Sequence, residues 1–298
     1  MVFAASHDTV LISDGGLATE LEARGHDLSD DLWSARLLLD APDEIVAVHK
    51  AFYRAGADIA TTASYQASFD GFAHRGIHRA QGERLLTLSV ELAKQAREQT
   101  GGSGWVAASV GPYGAALANG EEYRGRYGLS VSELTDWHEP RMEVLVAAQP
   151  DVLAMETIPD IDEAEALAGL VREFGVPAWL SYTIAGEQTR AGQPLDGAFA
   201  VAADVPEIVA VGVNCCAPDS VLNAVTVARE VTGKPVIVYP NSGEVWDGAR
   251  RVWVGRPDLN TALAPQWVGA GARIVGGCCR VRPAEIAAMK AAIAAQAF

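Results

Sequence analysis

The sequence predicts a single (β/α)8 barrel, and three observations lead to this fold class. Short runs rich in Val, Ile and Ala alternate with longer stretches in which apolar residues recur at helical spacing. Eight such pairs occur in 298 residues, and no change of composition marks a second domain. This alternation is typical of a parallel sheet, and eight units favour a closed barrel over an open doubly wound sheet. We therefore predict one domain spanning residues 1–298.

The predicted elements follow one another along the whole chain. Strands are expected at 10–13, 58–61, 105–109, 152–155, 178–183, 208–213, 235–239 and 272–275. Helices are expected at 43–54, 81–96, 132–147, 163–173, 195–203, 220–231, 261–269 and 283–295. The open doubly wound sheet is the alternative, but no Gly-x-Gly-x-x-Gly follows the first strand, which weakens a dinucleotide-binding interpretation.

The composition argues against several classes of partner. The chain carries 23 Lys and Arg against 38 Asp and Glu, a formal net charge of −15, and it has no run of basic residues. Nucleic acids and anionic membrane surfaces attract basic patches, so neither is expected as a partner. No apolar run approaches the roughly 20 residues that cross a membrane, and no signal peptide is recognised, so a cytoplasmic protein is expected. The sequence carries no signal for the oligomeric state.

Polar and small residues gather directly after the predicted strands, where barrel enzymes place their chemistry. These positions are 14–16, 62–66, 111–113, 156–157, 183, 214–216, 240–244 and 276–279. They include no lysine for Schiff-base chemistry and no histidine for a metal cluster, but they include all four cysteines of the chain. The reactive groups at the strand ends are therefore thiols and carboxylates.

The cysteines form two adjacent pairs, Cys215 with Cys216 after strand six and Cys278 with Cys279 after strand eight. Alternate strands of a barrel contribute to the same layer, so the two pairs are expected to approach each other. Converging thiols are the ligands that a tetrahedral Zn²⁺ prefers, whereas a single cysteine is more often a small buried apolar residue. Four sulfur ligands would make a closed structural site, and three would leave a position for substrate. The residues alone leave both arrangements open.

At these positions the chain resembles the homocysteine S-methyltransferase family. The zinc motif of that family is Gly-Val-Asn-Cys after one strand and Gly-Gly-Cys-Cys after the last, and the chain has both, at 212–215 and 276–279. Further matching segments are 14–16, 18–25, 32–35, 62–67, 110–114, 156–157 and 239–243. The likeness covers nearly the whole chain and looks closest to the branch that uses S-methylmethionine.

The resemblance implies a zinc-dependent enzyme. Zn²⁺ would be the cofactor, held by the catalytic residues Cys215, Cys278 and Cys279, with Cys216 outside the ligand set. The reaction implied is methyl transfer from a sulfonium donor, S-methylmethionine or S-adenosylmethionine, to the thiol of homocysteine, giving methionine.

The resemblance also implies how homocysteine is held. Asp14 and Glu156 would take its ammonium group, and the backbone amides of Gly15 and Gly16 would take its carboxylate. The full predicted substrate-binding set is Asp14, Gly15, Gly16, Gln66, Glu156 and Asn214. Of these, Gln66 is expected to border the open coordination position.

Two long segments, 111–130 and 240–260, are predicted to be lids over the strand ends. They carry five aromatic residues, Tyr113, Tyr123, Tyr127, Trp246 and Trp253. Aromatic faces attract a sulfonium as they attract other cations, although the rings would equally serve to pack the loops.

Two other functions are consistent with a barrel of this sequence. The amides of Gly276 and Gly277 would suit a phosphate group, because barrels often bind phosphate near the last strands. A solute-binding barrel with a closed zinc site of four cysteines is the second alternative. The phosphate alternative leaves the cysteines unexplained, and substituting Cys216 would separate the closed site, which needs that sulfur, from the open one.

Overall fold

Eight parallel strands form the centre of the molecule. The structure is a computed structural model, and it describes residues 3, 5–28, 33–247, 252–257 and 259–296. The barrel strands β1 to β8 are, in order, Leu11–Ile12, Ile59–Thr61, Trp105–Val110, Val152–Ile158, Ala178–Tyr182, Ile208–Asn214, Val236–Tyr239 and Ala272–Val275. The predicted (β/α)8 barrel is confirmed.

The hydrogen-bonded order of the strands is β1-β8-β7-β6-β5-β4-β3-β2, and every neighbouring pair is parallel. The seam between β1 and β2 is closed by a parallel bridge between Ser13 and Ile59. The amide of Asp58 also donates to the carbonyl of Ile12 at 2.6 Å. The sheet therefore closes on itself, and all strand ends that carry the predicted site lie at one mouth.

One outer helix follows each strand and covers the outside of the barrel. Helices α1 to α8 are Pro42–Arg54, Arg79–Gln99, Val131–Ala147, Ile161–Phe174, Leu195–Ala203, Val221–Thr232, Ala264–Ala270 and Pro283–Gln296. Their ends have ordinary signals, since α1 begins with Pro42 and α4 ends before Gly175, whose φ is +61°. Each predicted strand or helix ends within three residues of the observed one.

The barrel interior is filled by side chains from alternate strand positions. Ile59, Ala107, Ala154, Ala210 and Ile274 belong to this inner cluster, and the buried Trp179 is its largest member. The indole Nε1 of that Trp donates to the hydroxyl of Tyr239 at 3.0 Å. Its ring therefore fixes a tyrosine that reaches the mouth of the barrel.

Smaller elements lie around the mouth of the barrel, and the sequence analysis did not predict them. They are two hairpins, Ile184–Ala185 with Gln188–Thr189 and Val245–Asp247 with Val252–Val254, and the short helices Leu17–Ala23, Leu37–Asp40, Phe69–His74 and Tyr113–Ala116. All of them lie between a barrel strand and the helix that follows it, in segments that the sequence analysis treated as loops. Within the described ranges, no helix has the length and apolar character needed to span a membrane.

Candidate metal centre and active site

Three of the four cysteines meet at the mouth of the barrel. Cys215 directly follows β6, and Cys278 and Cys279 follow β8 after two glycines. The structure pairs Cys215 and Cys278 as a disulfide with Cα atoms 5.6 Å apart, and the sulfur of Cys279 lies 3.9 Å from that of Cys215. All three sulfurs lie within 4.8 Å of one another.

The backbone holds these cysteines in place. Cys215 has a left-handed φ of +47°, which turns the chain sharply at the end of β6. The amide of Cys278 donates to the carbonyl of Pro240 at 2.8 Å, and the amide of Cys279 donates to the Asn241 side chain at 3.1 Å. A Cβ at Gly276 would lie 2.8 Å from the carbonyl of Asp14, so only glycine lets the two segments approach.

The spacing and chemistry of this trio fit a zinc ion. Ligands about 2.3 Å from a tetrahedral metal lie about 3.8 Å apart, close to the separation of Cys215 and Cys279. All three cysteines also line one cavity, so a substrate can reach the sulfurs. Burial, followed by the charge of Glu122, raises the pKa of the Cys279 thiol to about 12. Because burial and nearby acids oppose ionisation of this thiol, a bound cation would be needed to hold it as a thiolate.

Cys216 points away from the trio into the hydrophobic core. It is 1% exposed, and burial raises the pKa of its thiol to about 12. Among the described residues, the three cysteines whose sulfurs lie close enough together to hold a metal do not include this one. The geometry therefore disfavours the closed site of four sulfurs.

Cys216→Ala is expected to keep the full metal content and the activity of the wild-type protein. Its sulfur packs against apolar residues, and no part of the cavity lining comes from it. Metal analysis and initial rates on the same preparation measure both quantities. Loss of the metal in this variant would restore the closed-site interpretation.

The phosphate alternative is not supported by the loop after β8. The amide of Gly276 donates to the carbonyl of Val238 at 2.9 Å, and the amide of Gly277 donates to the carbonyl of Asp14 at 3.0 Å. Both amides are therefore occupied by the fold itself. They are not positioned to bind an anion.

The trio lies at one side of a cavity of about 1080 Å³ at the barrel mouth. Asp14, which follows β1, is 3% exposed and lines this cavity. Its carboxylate accepts from the amide of Thr61 at 2.7 Å and from the hydroxyl of the same residue at 2.9 Å. Burial, and to a smaller degree the charge of Glu156, raises the pKa of Asp14 to about 7.

Glu156, near the end of β4, is the second deeply placed carboxylate of the cavity. It is 7% exposed, and the Ser109 hydroxyl donates to it. A further hydrogen bond comes from Tyr239, the tyrosine that is fixed by the barrel core. Burial raises the pKa of this carboxyl to about 7 against both hydrogen bonds. A positively charged group beside Asp14 and Glu156 would offset the cost of burying them.

Two predicted substrate residues are already engaged by hydrogen bonds within the fold: Asn214 lies outside the cavity lining, and Gly16 lines the cavity but its amide is occupied. Asn214 is fully buried and does not line the cavity; its side chain accepts from the Thr157 amide at 2.7 Å and donates to the Thr157 hydroxyl at 2.7 Å. It therefore fixes the end of β4 directly after Glu156. The amide of Gly16 donates to the carbonyl of Val281 at 2.9 Å, so it cannot also take a substrate carboxylate.

The remaining two predicted residues, Gly15 and Gln66, also line the cavity. A side chain at Gly15 would collide with the Val281 carbonyl, which explains a glycine there. The amide nitrogen of Gln66 donates to the carbonyl of Ala115 at 3.0 Å, which ties it to the first lid segment. Gln66 and the cysteine trio therefore share one cavity.

The predicted lid aromatics divide into two groups. Tyr123 and Trp253 line the cavity, whereas Tyr113 and Tyr127 pack against each other with ring centroids 5.2 Å apart. The side chain of Trp246 and residues 248–251 and 258 of the second lid lie outside the described residues, as do residues 29–32.

Sequence reasoning missed several cavity residues, among them Thr61, Glu122, Tyr239 and Arg280. Thr61 and Tyr239 are the last residues of their strands, and the sequence analysis considered only the residues after each strand. Glu122 lies on the first lid, and burial raises its pKa to about 7. No motif in the sequence marks that residue.

Comparisons with known proteins agree with this site. The family model described as homocysteine S-methyltransferase matches residues 11–293. A homocysteine S-methyltransferase of Escherichia coli is 47% identical over 293 residues, covering 95% of this chain and 94% of the relative. One from Bacillus subtilis is 42% identical over 294 residues, covering 93% and 92%.

A solved structure shows the same likeness in three dimensions. The metallated form of the E. coli homocysteine methyltransferase superposes with a TM-score of 0.85 at 46% identity, covering 95% of this chain and 96% of that one. The family predicted from the strand-end motifs is confirmed, and with it the methyltransferase class. This chain belongs to the homocysteine S-methyltransferase family.

Proposed function

We propose that this protein transfers a methyl group from a sulfonium donor to the thiol of homocysteine, giving methionine. The observation that carries the proposal is the arrangement of one cavity, in which three cysteine sulfurs and two buried carboxylates face the same space. The sulfurs suit a metal that binds a thiol. The carboxylates suit the ammonium group of an amino acid.

The proposed zinc ligands are Cys215, Cys278 and Cys279. When bound, Zn²⁺ supplies the positive charge that keeps a substrate thiol deprotonated near neutral pH, although free thiols titrate near ~8.5. With three protein ligands, one tetrahedral position is left for the substrate. The position of Cys216 in the core supports this open arrangement.

Asp14 and Glu156 hold the homocysteine ammonium in this proposal. Both carboxylates are fixed by hydrogen bonds from neighbouring strands, so they need not reorganise when the substrate enters. The amide of Gly15 is the proposed partner of the substrate carboxylate. The Asn214 side chain holds Thr157, the neighbour of Glu156 in β4, and the Gly16 amide holds the segment that carries Gly15.

The methyl-transfer step needs the donor and acceptor sulfurs to be aligned, and it needs no proton transfer. A lone pair of the homocysteine sulfur forms the new bond to the methyl carbon. The carbon–sulfur bond of the sulfonium breaks, and its electron pair stays on the donor sulfur, which becomes a neutral thioether. The cavity walls, including Tyr123 and Trp253, align donor and acceptor for this in-line step.

S-methylmethionine is expected to be the preferred donor, ahead of S-adenosylmethionine, while betaine and methyltetrahydrofolate fail. A sulfonium brings its own leaving group and positive charge, which suits a cavity lined by carboxylates and aromatic rings. Initial rates at equal donor concentration, with zinc-loaded protein and homocysteine, measure the order. Faster turnover with betaine than with either sulfonium would contradict the proposal.

A further inference from the structure

Arg280 directly follows Cys279 in the sequence and lines the same cavity as the three cysteines. Its φ is +66°, a left-handed conformation that is uncommon for a residue with a long side chain. Its amide donates to the hydroxyl of Thr19 at 2.9 Å, which holds the backbone in this conformation. Strained backbone of this kind is frequent where a side chain must be aimed at a ligand.

The guanidinium group of Arg280 is oriented by a buried acid. Its Nε donates to Glu244 at 3.0 Å, and the Ser242 hydroxyl donates to the same carboxylate at 2.9 Å. Glu244 is 8% exposed, so this partner is itself fixed. A guanidinium has five N–H groups, and its two terminal nitrogens form a fork that matches a carboxylate. The contact at Nε sets the direction of that fork.

The charge of the cavity makes this arginine distinctive. Within the described part of the lining, Arg280 is the one Lys or Arg, and it stands among six acids: Asp14, Glu22, Asp27, Glu122, Glu156 and Glu244. Such a lining suits a cationic sulfonium but repels its carboxylate. An amino acid donor therefore needs a cation at one point of the wall.

Depth in the cavity separates the two substrates. Asp14 and Glu156 are 3% and 7% exposed, whereas the Arg280 side chain is 38% exposed. Homocysteine occupies the deep end in the proposed function, with its sulfur at the cysteines. The donor must then lie over it, toward the mouth, which is where Arg280 reaches solvent.

We infer that Arg280 binds the α-carboxylate of the methyl donor and so selects sulfoniums that are amino acids. This inference rests on the proposed function and assigns the outer half of its cavity. Homocysteine then binds beneath the donor.

The test compares two donors in wild-type protein and in Arg280→Gln. One donor is S-methylmethionine, and the other is (3-aminopropyl)dimethylsulfonium, the same molecule without its carboxylate. Arg280→Gln should lower kcat/KM for S-methylmethionine by about ten- to a hundred-fold, because a charge-assisted contact is lost. The KM for homocysteine and the zinc content should not change. For the donor without a carboxylate, wild type and variant should be equally slow.

Two further variants serve as controls. Arg282→Gln removes the same charge two residues away, where the side chain donates to Glu20 at 2.9 Å outside the cavity, and it should leave both donors unaffected. Arg280→Lys keeps a cation beside Glu244 if the glutamine variant folds poorly, and it should show a smaller loss confined to S-methylmethionine.

Other outcomes are distinguishable. A rise in the KM for homocysteine, or an equal loss with both donors, would overturn the role of Arg280 while leaving the proposed function intact. Wild-type protein that transfers no methyl group from any sulfonium would overturn the proposed function, and this inference with it.

Discussion

Cys278→Ser protein is expected to bind little zinc and to show no measurable methyl transfer. A serine hydroxyl is a poor substitute for a thiolate, and two sulfurs do not make the three-ligand site that fits the cavity. The loss of metal affinity should exceed the roughly 10- to 100-fold that removal of a contact outside the ligand set typically costs. Metal analysis of protein purified in a reducing buffer without chelators measures it.

The matched control is Cys216→Ala, which removes the thiol next to Cys215 in the sequence and leaves the three proposed zinc ligands unchanged. Both variants and the wild type should be prepared together, because the pairing of Cys215 with Cys278 must be reduced before metal can bind. Retention of full zinc by Cys278→Ser would contradict the ligand assignment. A wild-type protein without metal under these conditions would contradict it as well.

Asp14→Asn and Glu156→Gln are expected to weaken homocysteine binding while the zinc content stays the same. Each change removes a buried charge that faces the substrate ammonium in the proposed site. Charge-assisted hydrogen bonds of this type are worth about 1.5 to 3 kcal/mol, or about ten- to a hundred-fold in affinity. Homocysteine KM and direct binding by calorimetry measure the effect. Unchanged affinity in both variants would refute the assignment.

The same carboxylates give the binding a pH dependence of known sign. Burial raises the pKa of Asp14 and of Glu156 to about 7, and only their ionised forms attract an ammonium group. Homocysteine should therefore bind more tightly as the pH rises from 6 to 8. The dependence should be smaller in each variant, since one titrating carboxyl is gone.

The fold was predictable because each barrel strand is followed by a helix with clear apolar spacing. Strand β8 was placed without error, and β4 was underestimated by three residues because its polar end, Glu156 and Thr157, reads as a loop. The hairpin Val245–Asp247 with Val252–Val254 was missed because it lies within residues 240–260, which were interpreted as a lid segment. Tertiary packing decides such elements.

The candidate site was predictable in its residue types but not in its hydrogen bonds. The rule that strand ends share one mouth brought Asp14, Glu156 and the cysteines together correctly in space. It could not show that the Gly16 amide is already bonded to Val281, or that Asn214 faces Thr157. Whether a polar group is available depends on neighbours that are distant in sequence. Arg280 was overlooked for the same reason.

The closure of the barrel at β1 and β2 has a consequence for local opening. Strand β1 has two residues, and beyond the bridge between Ser13 and Ile59 the seam is continued by Asp14, whose carboxylate accepts from the amide and hydroxyl of Thr61. The Asp14 side chain thus serves both as a proposed substrate ligand and as a hydrogen-bonded link between the segments of β1 and β2. Hydrogen exchange at the Thr61 amide would then report on occupancy of the cavity. A bound ammonium would keep Asp14 ionised and so preserve its hydrogen bond from that amide. In the proposed site, the least continuous part of the barrel wall is therefore also a substrate contact, which would couple substrate binding to local stability.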